Sequence, residues 1–167
     1  MDFISERLIY RKITAADFPV YLNMAMNEDV MKFITGKVLG IKEAQERLQI
    51  MTETNNRISE IGFYMIYEKT RNNFIGLGKL VFIKDSTAEI GYSLLPEHWG
   101  KKYASEIAGF FISYARTIGY IKELIAIVNP ENIASKKLLA NYGFTWLETG
   151  FVNEQVTEIY KLDLQKP

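Results

Sequence analysis

The sequence predicts a single α/β domain over residues 1–167, built on a central mixed, mostly antiparallel sheet with one parallel β-α-β crossover and helices on both faces. Three observations carry this reading. Residues 89–128 run strand, polar loop, long helix, strand, which is the order of a parallel crossover. Alternating apolar residues at 61–68 and 74–83, and again at 145–151 and 156–164, form strand pairs separated by short polar turns. No repeat, low-complexity run or linker interrupts the chain, and its length suits one domain with one core.

The elements follow in order. Residues 7–13 read as the first strand. Thr14 to Asp17 makes a capping-box-like helix start, and Phe18, Leu22 and Ala25 mark one face of a short helix. Residues 27–35 form a second short or broken helix that ends at Gly36. Ile41, Ala44, Leu48 and Met51 fall at i, i+3, i+7 and i+10, a longer helix that Asn55 and Asn56 close. A strand at 61–68 turns at Arg71, Asn72 and Asn73 into a longer one at 74–83. There Gly76 and Gly78 share a face and signal a bulge or a close backbone approach. After a tight connection at Lys84, Asp85 and Ser86 comes the central strand. In it Ile90, Tyr92 and Leu94 alternate with Glu89, Gly91 and Ser93, until Leu95 and Pro96 stop it. Beyond the polar loop at 97–102, Ile107, Phe110, Phe111, Tyr114, Ala115 and Ile118 define one face of a long helix. Gly119 stands where a left-handed C-cap is wanted. Residues 121–128 are a strand. Asn132 caps a helix whose inner face is Ala134, Leu138 and Tyr142, and Gly143 closes it.

Composition narrows the chemistry. Hydrophobic residues make up 48% and charged residues 24%, an ordinary globular balance. A formal net charge of +0 argues against direct nucleic-acid binding, which needs a basic surface. With no cysteine there is no disulfide, thiolate nucleophile or thiolate metal site, and the single histidine, His98, speaks against a histidine metal site. No apolar run is long enough to span a membrane, and MDFISERL lacks the basic start and apolar core of a secretory signal. The expected compartment is the cytoplasm. Oligomeric state is not written in the composition, and monomer and homodimer are both compatible with it.

The loop at 97–102 leads into a helix N-terminus, where unpaired N–H groups and the positive end of the dipole favour phosphate. It carries neither G-x-G-x-x-G nor G-x-x-x-x-G-K-[ST], so dinucleotide and triphosphate loops are not indicated. Taken alone, the loop reads equally as a plain strand-to-helix connection with solvated lysines.

The combination says more. E-I-G-Y at 89–92, W-G-K-K-Y-A-x-E at 99–106, and N-x-x-S at 132–135 with Gly143 and Phe144 together resemble the GCN5-related N-acetyltransferase family. The likeness is to the bacterial subgroup that acetylates the N-terminal amine, an alanine in particular, of ribosomal proteins. It extends to the start, where SERLIYRKITAADF at 5–18 is similar to that subgroup's opening strand and first helix. The resemblance implies an enzyme with acetyl-CoA as co-substrate, no metal, and direct transfer of the acetyl group to a primary amine of a protein N-terminus or small molecule. A non-catalytic acyl-CoA-binding module is the alternative.

It also implies a site. Backbone N–H groups of Trp99, Gly100, Lys101, Lys102, Tyr103, Ala104 and Ser105 would cradle the pyrophosphate. The family's central glycine is Lys102 here, and lysine tolerates positive φ poorly. Leu94 and Leu95 lie where the family's strands part to admit the pantetheine arm, which Asn132 would touch. The position of the family's usual tyrosine acid is Leu139 and Tyr142 falls on the predicted core face, so departure of the thiolate falls to Ser135, another group or water. Glu89 is the candidate base. Each has a plainer reading: core leucines, an N-cap asparagine, an inert first-turn serine, and an exposed strand carboxylate paired with a lysine. His98 reads as a structural or exposed loop residue. The acceptor pocket is expected between the first two helices and the final hairpin. Glu28, Phe33, Tyr64, Trp146 and Phe151 are its candidate lining, although such aromatics equally suit a core.

Overall fold

Alternation places successive strand residues on opposite faces of one sheet, and each face finds its own helices. The computed structural model describes residues 2–152 and 154–165. In order, the elements are β1 (Phe3–Ile4), β2 (Leu8–Lys12), α1 (Phe18–Ala25), α2 (Glu28–Met31), α3 (Ile41–Arg57), β3 (Gly62–Glu68), β4 (Phe74–Lys84), β5 (Thr87–Leu94), α4 (Tyr103–Thr117), β6 (Glu123–Val128), α5 (Ile133–Asn141), β7 (Thr145–Val152) and β8 (Gln155–Asp163). The strands form one eight-stranded sheet in the order β1-β2-β3-β4-β5-β6-β8-β7. Every neighbouring pair is antiparallel except β5 and β6. The expected mixed sheet with one parallel crossover is therefore present. No helix among the described residues is long and apolar enough to cross a membrane.

The two faces build two cores. Tyr10, Tyr64, Ile66, Leu80 and Ile90 point to the α4 side and meet Ile107 and Phe111. Met65, between Tyr64 and Ile66, points the other way and packs with Tyr21, Met24 and Leu48 of α1 and α3. Phe111 is fully buried, a gain of about 1.5–3 kcal/mol over an exposed side chain. Tyr64 lies inside this core at 1% exposure, with its ring against Phe3 and Phe111, so it does not line an acceptor pocket as expected.

Other expectations need correction. Ile41 is 60% exposed; the buried stripe of α3 is Ala44, Leu48 and Asn55. Asn55 does not end the helix. Its Nδ2 donates to the carbonyls of Ile13 (3.1 Å) and Phe63 (2.9 Å), and its Oδ1 accepts from Phe63 N–H (2.8 Å). A polar residue on an apolar stripe thus joins α3 to the point where β2 and β3 part. Beside it, Lys12 Nζ donates to the Ile58 (2.7 Å) and Ile61 (2.9 Å) carbonyls just beyond α3. Gly119 does not form a left-handed cap; α4 closes on Ile118 in an extended conformation. In α5 the buried residue is Leu139, not Ala134. The glycine signal in β4 has its expected meaning: the β3–β4 register shifts next to Gly76, where an added side chain would collide with the Ser93 carbonyl.

The short β1–β2 hairpin is tied to α4 by one carboxylate. Glu106 accepts from Ser5 Oγ (2.6 Å), Arg7 N–H (2.8 Å) and Arg7 Nε (2.7 Å). Burial pushes its pKa up, but these donors outweigh burial and hold it below the ordinary carboxylate value.

Two measurements test these ties. Asn55→Ala leaves buried backbone groups unpaired and should cost about 2–3 kcal/mol in urea unfolding with an unchanged m-value. A depressed carboxylate pKa gives stability that is present above the unfolded value and lost as pH falls through the folded one. Glu106→Gln should therefore melt lower than the parent near pH 7, and the gap should shrink below pH ~4.

Candidate active site

The site begins where two strands stop pairing. β5 and β6 are bridged only at Thr87–Glu123, Ala88–Leu124 and Glu89–Ile125. Past that point β5 continues to Leu94 along β4, and β6 continues to Val128 along β8. Leu95 N–H donates to the Ile75 carbonyl (3.0 Å), in register with the Gly76–Leu94 pair. By antiparallel alternation, the backbone groups of Gly91 and Ser93 also face β4, and those of Ile90, Tyr92 and Leu94 face the opening. The Leu94 carbonyl accepts from Trp99 Nε1 (2.9 Å). Leu95 is differently placed. Its N–H is held by β4, its carbonyl accepts from His98 N–H (2.9 Å), and its side chain packs on the α1–α3 core. The open edge of β5 is thus Tyr92 and Leu94, without Leu95.

The loop at the end of the opening is rigidly braced. A 3-10 turn, Pro96–His98, leads through Trp99 to Gly100 at φ 72° and Lys102 at φ 63°. Lys102 takes the left-handed conformation usual for glycine and serves as N-cap of α4 (ψ 14°). Arg7 holds the loop from below. Its Nη1 donates to the Lys101 carbonyl (3.0 Å) and its guanidinium lies 4.5 Å over the Tyr103 ring. Tyr103 Oη donates to Glu68 on β3 (2.8 Å). Glu106, the acid of the first turn, is turned toward Ser5 and Arg7, so its charge is already matched. Lys101 and Lys102 are exposed at the mouth. The first-turn N–H groups of Tyr103, Ala104 and Ser105 complete an anion-binding geometry.

α5 forms the other bank. Asn132 Oδ1 accepts from Ser135 N–H (3.1 Å), a side-chain N-cap. Ser135 is half-buried and Leu139 is buried at 1% exposure. Tyr142 Oη donates to the Ser105 carbonyl (2.7 Å), which ties the end of α5 to the first turn of α4. Tyr142 is therefore a strut, only partly core. Sequence reasoning also passed over Tyr92. Its hydroxyl is buried and makes no hydrogen bond of good geometry among the described residues, the Ser135 side chain being at most a weak partner. Burial raises its pKa; Ser135 opposes this and Tyr142 adds to it. Nothing in the alternation of β5 separates such a tyrosine from a plain core aromatic.

Glu89 stands at the last parallel bridge, where the strands part. It is 7% exposed and forms an ion pair with Lys79 of β4. It shares its face with Gly91, against which the Lys79 chain lies. The expected lysine pairing is present, but on a buried carboxylate.

Of the acceptor-pocket candidates, Glu28 lines a hollow of about 460 Å³ with Asp29, Lys32, Gly36, Lys37 and Val38. Phe33 is half-buried beside Lys32, whose Nζ lies 5.3 Å from its ring. Trp146 and Phe151 are 59% and 73% exposed on β7. The final hairpin does reach the first helices: Gln155 packs directly on Gly36. His98 is half-buried, edge-on to Tyr103 at 6.2 Å.

Known proteins resemble this chain in sequence or in fold. The N-acetyltransferase YoaA of Bacillus subtilis (strain 168), itself uncharacterised, is 27% identical over 157 residues, spanning 84% of this chain and 80% of its own. The ribosomal-protein-S5-alanine acetyltransferase of Vibrio fischeri superposes with a TM-score of 0.79 at 18% identity, covering 100% of both chains. The spermidine N-acetyltransferase of Vibrio cholerae, solved with CoA and spermine, gives 0.79 at 20% identity over 97% of this chain and 98% of that one. Residues 7–145, from the arginine that braces the loop to the first residue of β7, match the acetyltransferase (GNAT) domain, and the chain belongs to that family.

Proposed function

We propose that this acetyltransferase binds acetyl-CoA across the β5–β6 opening and passes the acetyl group directly to a primary amine of a protein N-terminus or small molecule. The observation that carries the proposal is the parallel ladder that ends at Glu89–Ile125 while the unobstructed N-terminus of α4 stands at the far end of the gap. A diphosphate fits the braced loop, and an amide-bearing arm fits the outward backbone groups of Tyr92 and Leu94 with Asn132 opposite. Fold neighbours that act on a ribosomal protein and on spermidine support both kinds of acceptor. The likeness to the ribosomal-protein subgroup supports an ammonium-bearing acceptor.

The chemistry needs a neutral amine. An α-amine titrates near ~8 and a lysine near ~10, so a base raises the reactive fraction. In this reading Glu89, which stands beside Lys79 at the vertex of the opening, is the base, directly or through one water. Attack on the thioester carbonyl develops negative charge, which backbone N–H groups of the open edge can hold. Ser135 at the mouth of α5 assists departure of the thiolate. No covalent enzyme intermediate is required, since holding amine and thioester together supplies much of the acceleration. No metal takes part in this scheme, and the enzyme works in the cytoplasm as a monomer or homodimer without direct contact to nucleic acid or membrane.

Glu89→Gln should lower kcat about 100- to 1000-fold, leave the KM for acetyl-CoA near the parent value, and remove the lower limb of the pH–rate profile. Full activity with an unchanged profile would eliminate Glu89 as base. Lys102→Gly relieves a left-handed lysine and should stabilise the fold by up to about 1 kcal/mol. Its KM for acetyl-CoA should stay within about threefold, because the backbone donors do not depend on the side chain. A rise above about tenfold would show that the lysine ammonium carries the binding.

A further inference from the structure

The sheet ends differently on its two sides. At one edge β1 is two residues long, and so short a strand gives an incoming strand little to pair with. At the other edge β7 runs for eight residues, TWLETGFV, and all but Gly150 are exposed. Every second residue of an edge strand turns its N–H and C=O away from the sheet. Sheet proteins guard such an edge with lysine, proline, a covering element or a bulge. β7 has neither lysine nor proline. Its register shift lies near its start, between Trp146 and Glu148, and no strand lies beyond it among the described residues. Instead it shows Trp146, Leu147, Phe151 and Val152 to water, with Val156 opposite Phe151 on β8. Apolar exposure gathered in one place marks an interaction surface.

We propose that β7 pairs antiparallel with β7 of a second copy of this chain, across a two-fold axis at Thr149, and so joins two sheets into one. Three observations select a second copy as the occupant. The first is the order of residues. With Thr149 opposite itself, Glu148 falls opposite Gly150 of the second copy and Leu147 comes beside Phe151, and symmetry repeats each pair. Threonine pairs and aromatic–aliphatic pairs stabilise antiparallel strands, and the two carboxylates stay apart. An axis one residue earlier, at Glu148, would set them face to face. The second observation is area. Trp146 and Phe151, 59% and 73% exposed, offer on the order of 250 Å² per copy. Leu147, Val152 and Val156 add to this in both copies, which brings the total toward the ~1,000 Å² that a specific interface needs. The third is charge: with a formal net charge of +0, two copies do not repel one another. The pairing occupies the long edge of both partners and leaves only the short β1 edges, so assembly stops at two. It decides for the homodimer and does not depend on the acetyl-transfer reading.

The test is sedimentation equilibrium over a range of concentrations, joined to a cross-link. The parent should reach twice its 19.3 kDa chain mass by ~100 µM protein. Leu147→Lys and Phe151→Lys each place two lysines at the paired edges and should raise the dimer dissociation constant about 100-fold, with thermal melts showing that the variants stay folded. Ile50→Lys, at an exposed apolar position on α3, should leave the mass unchanged. The chain has no cysteine, so a single introduced one reports cleanly. In Thr149→Cys the two Cα atoms would stand ~5 Å apart, within disulfide reach, and mild oxidation should give a covalent dimer. Ile50→Cys should give none. A parent that stays monomeric at every concentration overturns the inference and leaves the edge to another partner or to none. A dimer that survives folded Leu147→Lys and Phe151→Lys variants also overturns it, because the interface then lies elsewhere. Should both lysine variants misfold, the cross-link decides: a dimer that does not cross-link through Thr149→Cys is not paired there, and the inference falls.

Discussion

The architecture depends on two strands that start paired and then separate. A parallel ladder that stops midway strands backbone donors and acceptors, and a buried backbone group without a partner is expensive. The cost is bearable because each strand is fully engaged on its other edge, β5 with β4 and β6 with β8. The sheet therefore stays continuous at Thr87–Glu89 and opens beyond it without coming apart. An extended ligand with its own amides can satisfy the groups left over on Tyr92 and Leu94. The opening is thus a property of register, with side chains serving to line it.

Register alone would leave the loop at the α4 end of the opening loose, and there the N-terminal hairpin matters. Arg7 links the Lys101 carbonyl, the Tyr103 ring and Glu106, and Tyr103 reaches across to Glu68 of β3. Loop, first helical turn and two distant strands are joined through a single guanidinium, whose planar fork suits several acceptors at once. This bracing also explains how Lys102 holds a left-handed conformation, a choice that costs a lysine roughly 1–2 kcal/mol and persists only where its surroundings over-determine it. Lys102 thus takes a backbone conformation that glycine adopts freely.

Much of this was legible in the chain. The 2-residue and 3.6-residue periods located the main strands and helices, and the order strand–loop–helix–strand announced the crossover. Asn132 was readable as a cap because capping is local chemistry. What escaped was set by tertiary contact. Asn55 looked like a helix end because asparagine favours ends, yet three hydrogen bonds to the backbone of Ile13 and Phe63 hold it inside one. Tyr64 looked available to an acceptor because alternation does not say which face of a strand is covered by a helix. Ala134 and Leu139 differ by a rotation of the α5 face that a short, weakly amphipathic helix cannot specify on its own.

The same limit explains the acid. A sequence comparison asks which residue type stands at a given helix position, and at position 139 it finds leucine. Chemistry asks instead which hydrogen-bond donors reach a given volume, from whatever element. Here Ser135 carries a hydroxyl on the first turn of α5, four residues before Leu139, with its backbone N–H held by Asn132. A residue-by-residue comparison at position 139 does not ask about it, because the chemistry depends on where a donor stands and not on which helix position supplies it.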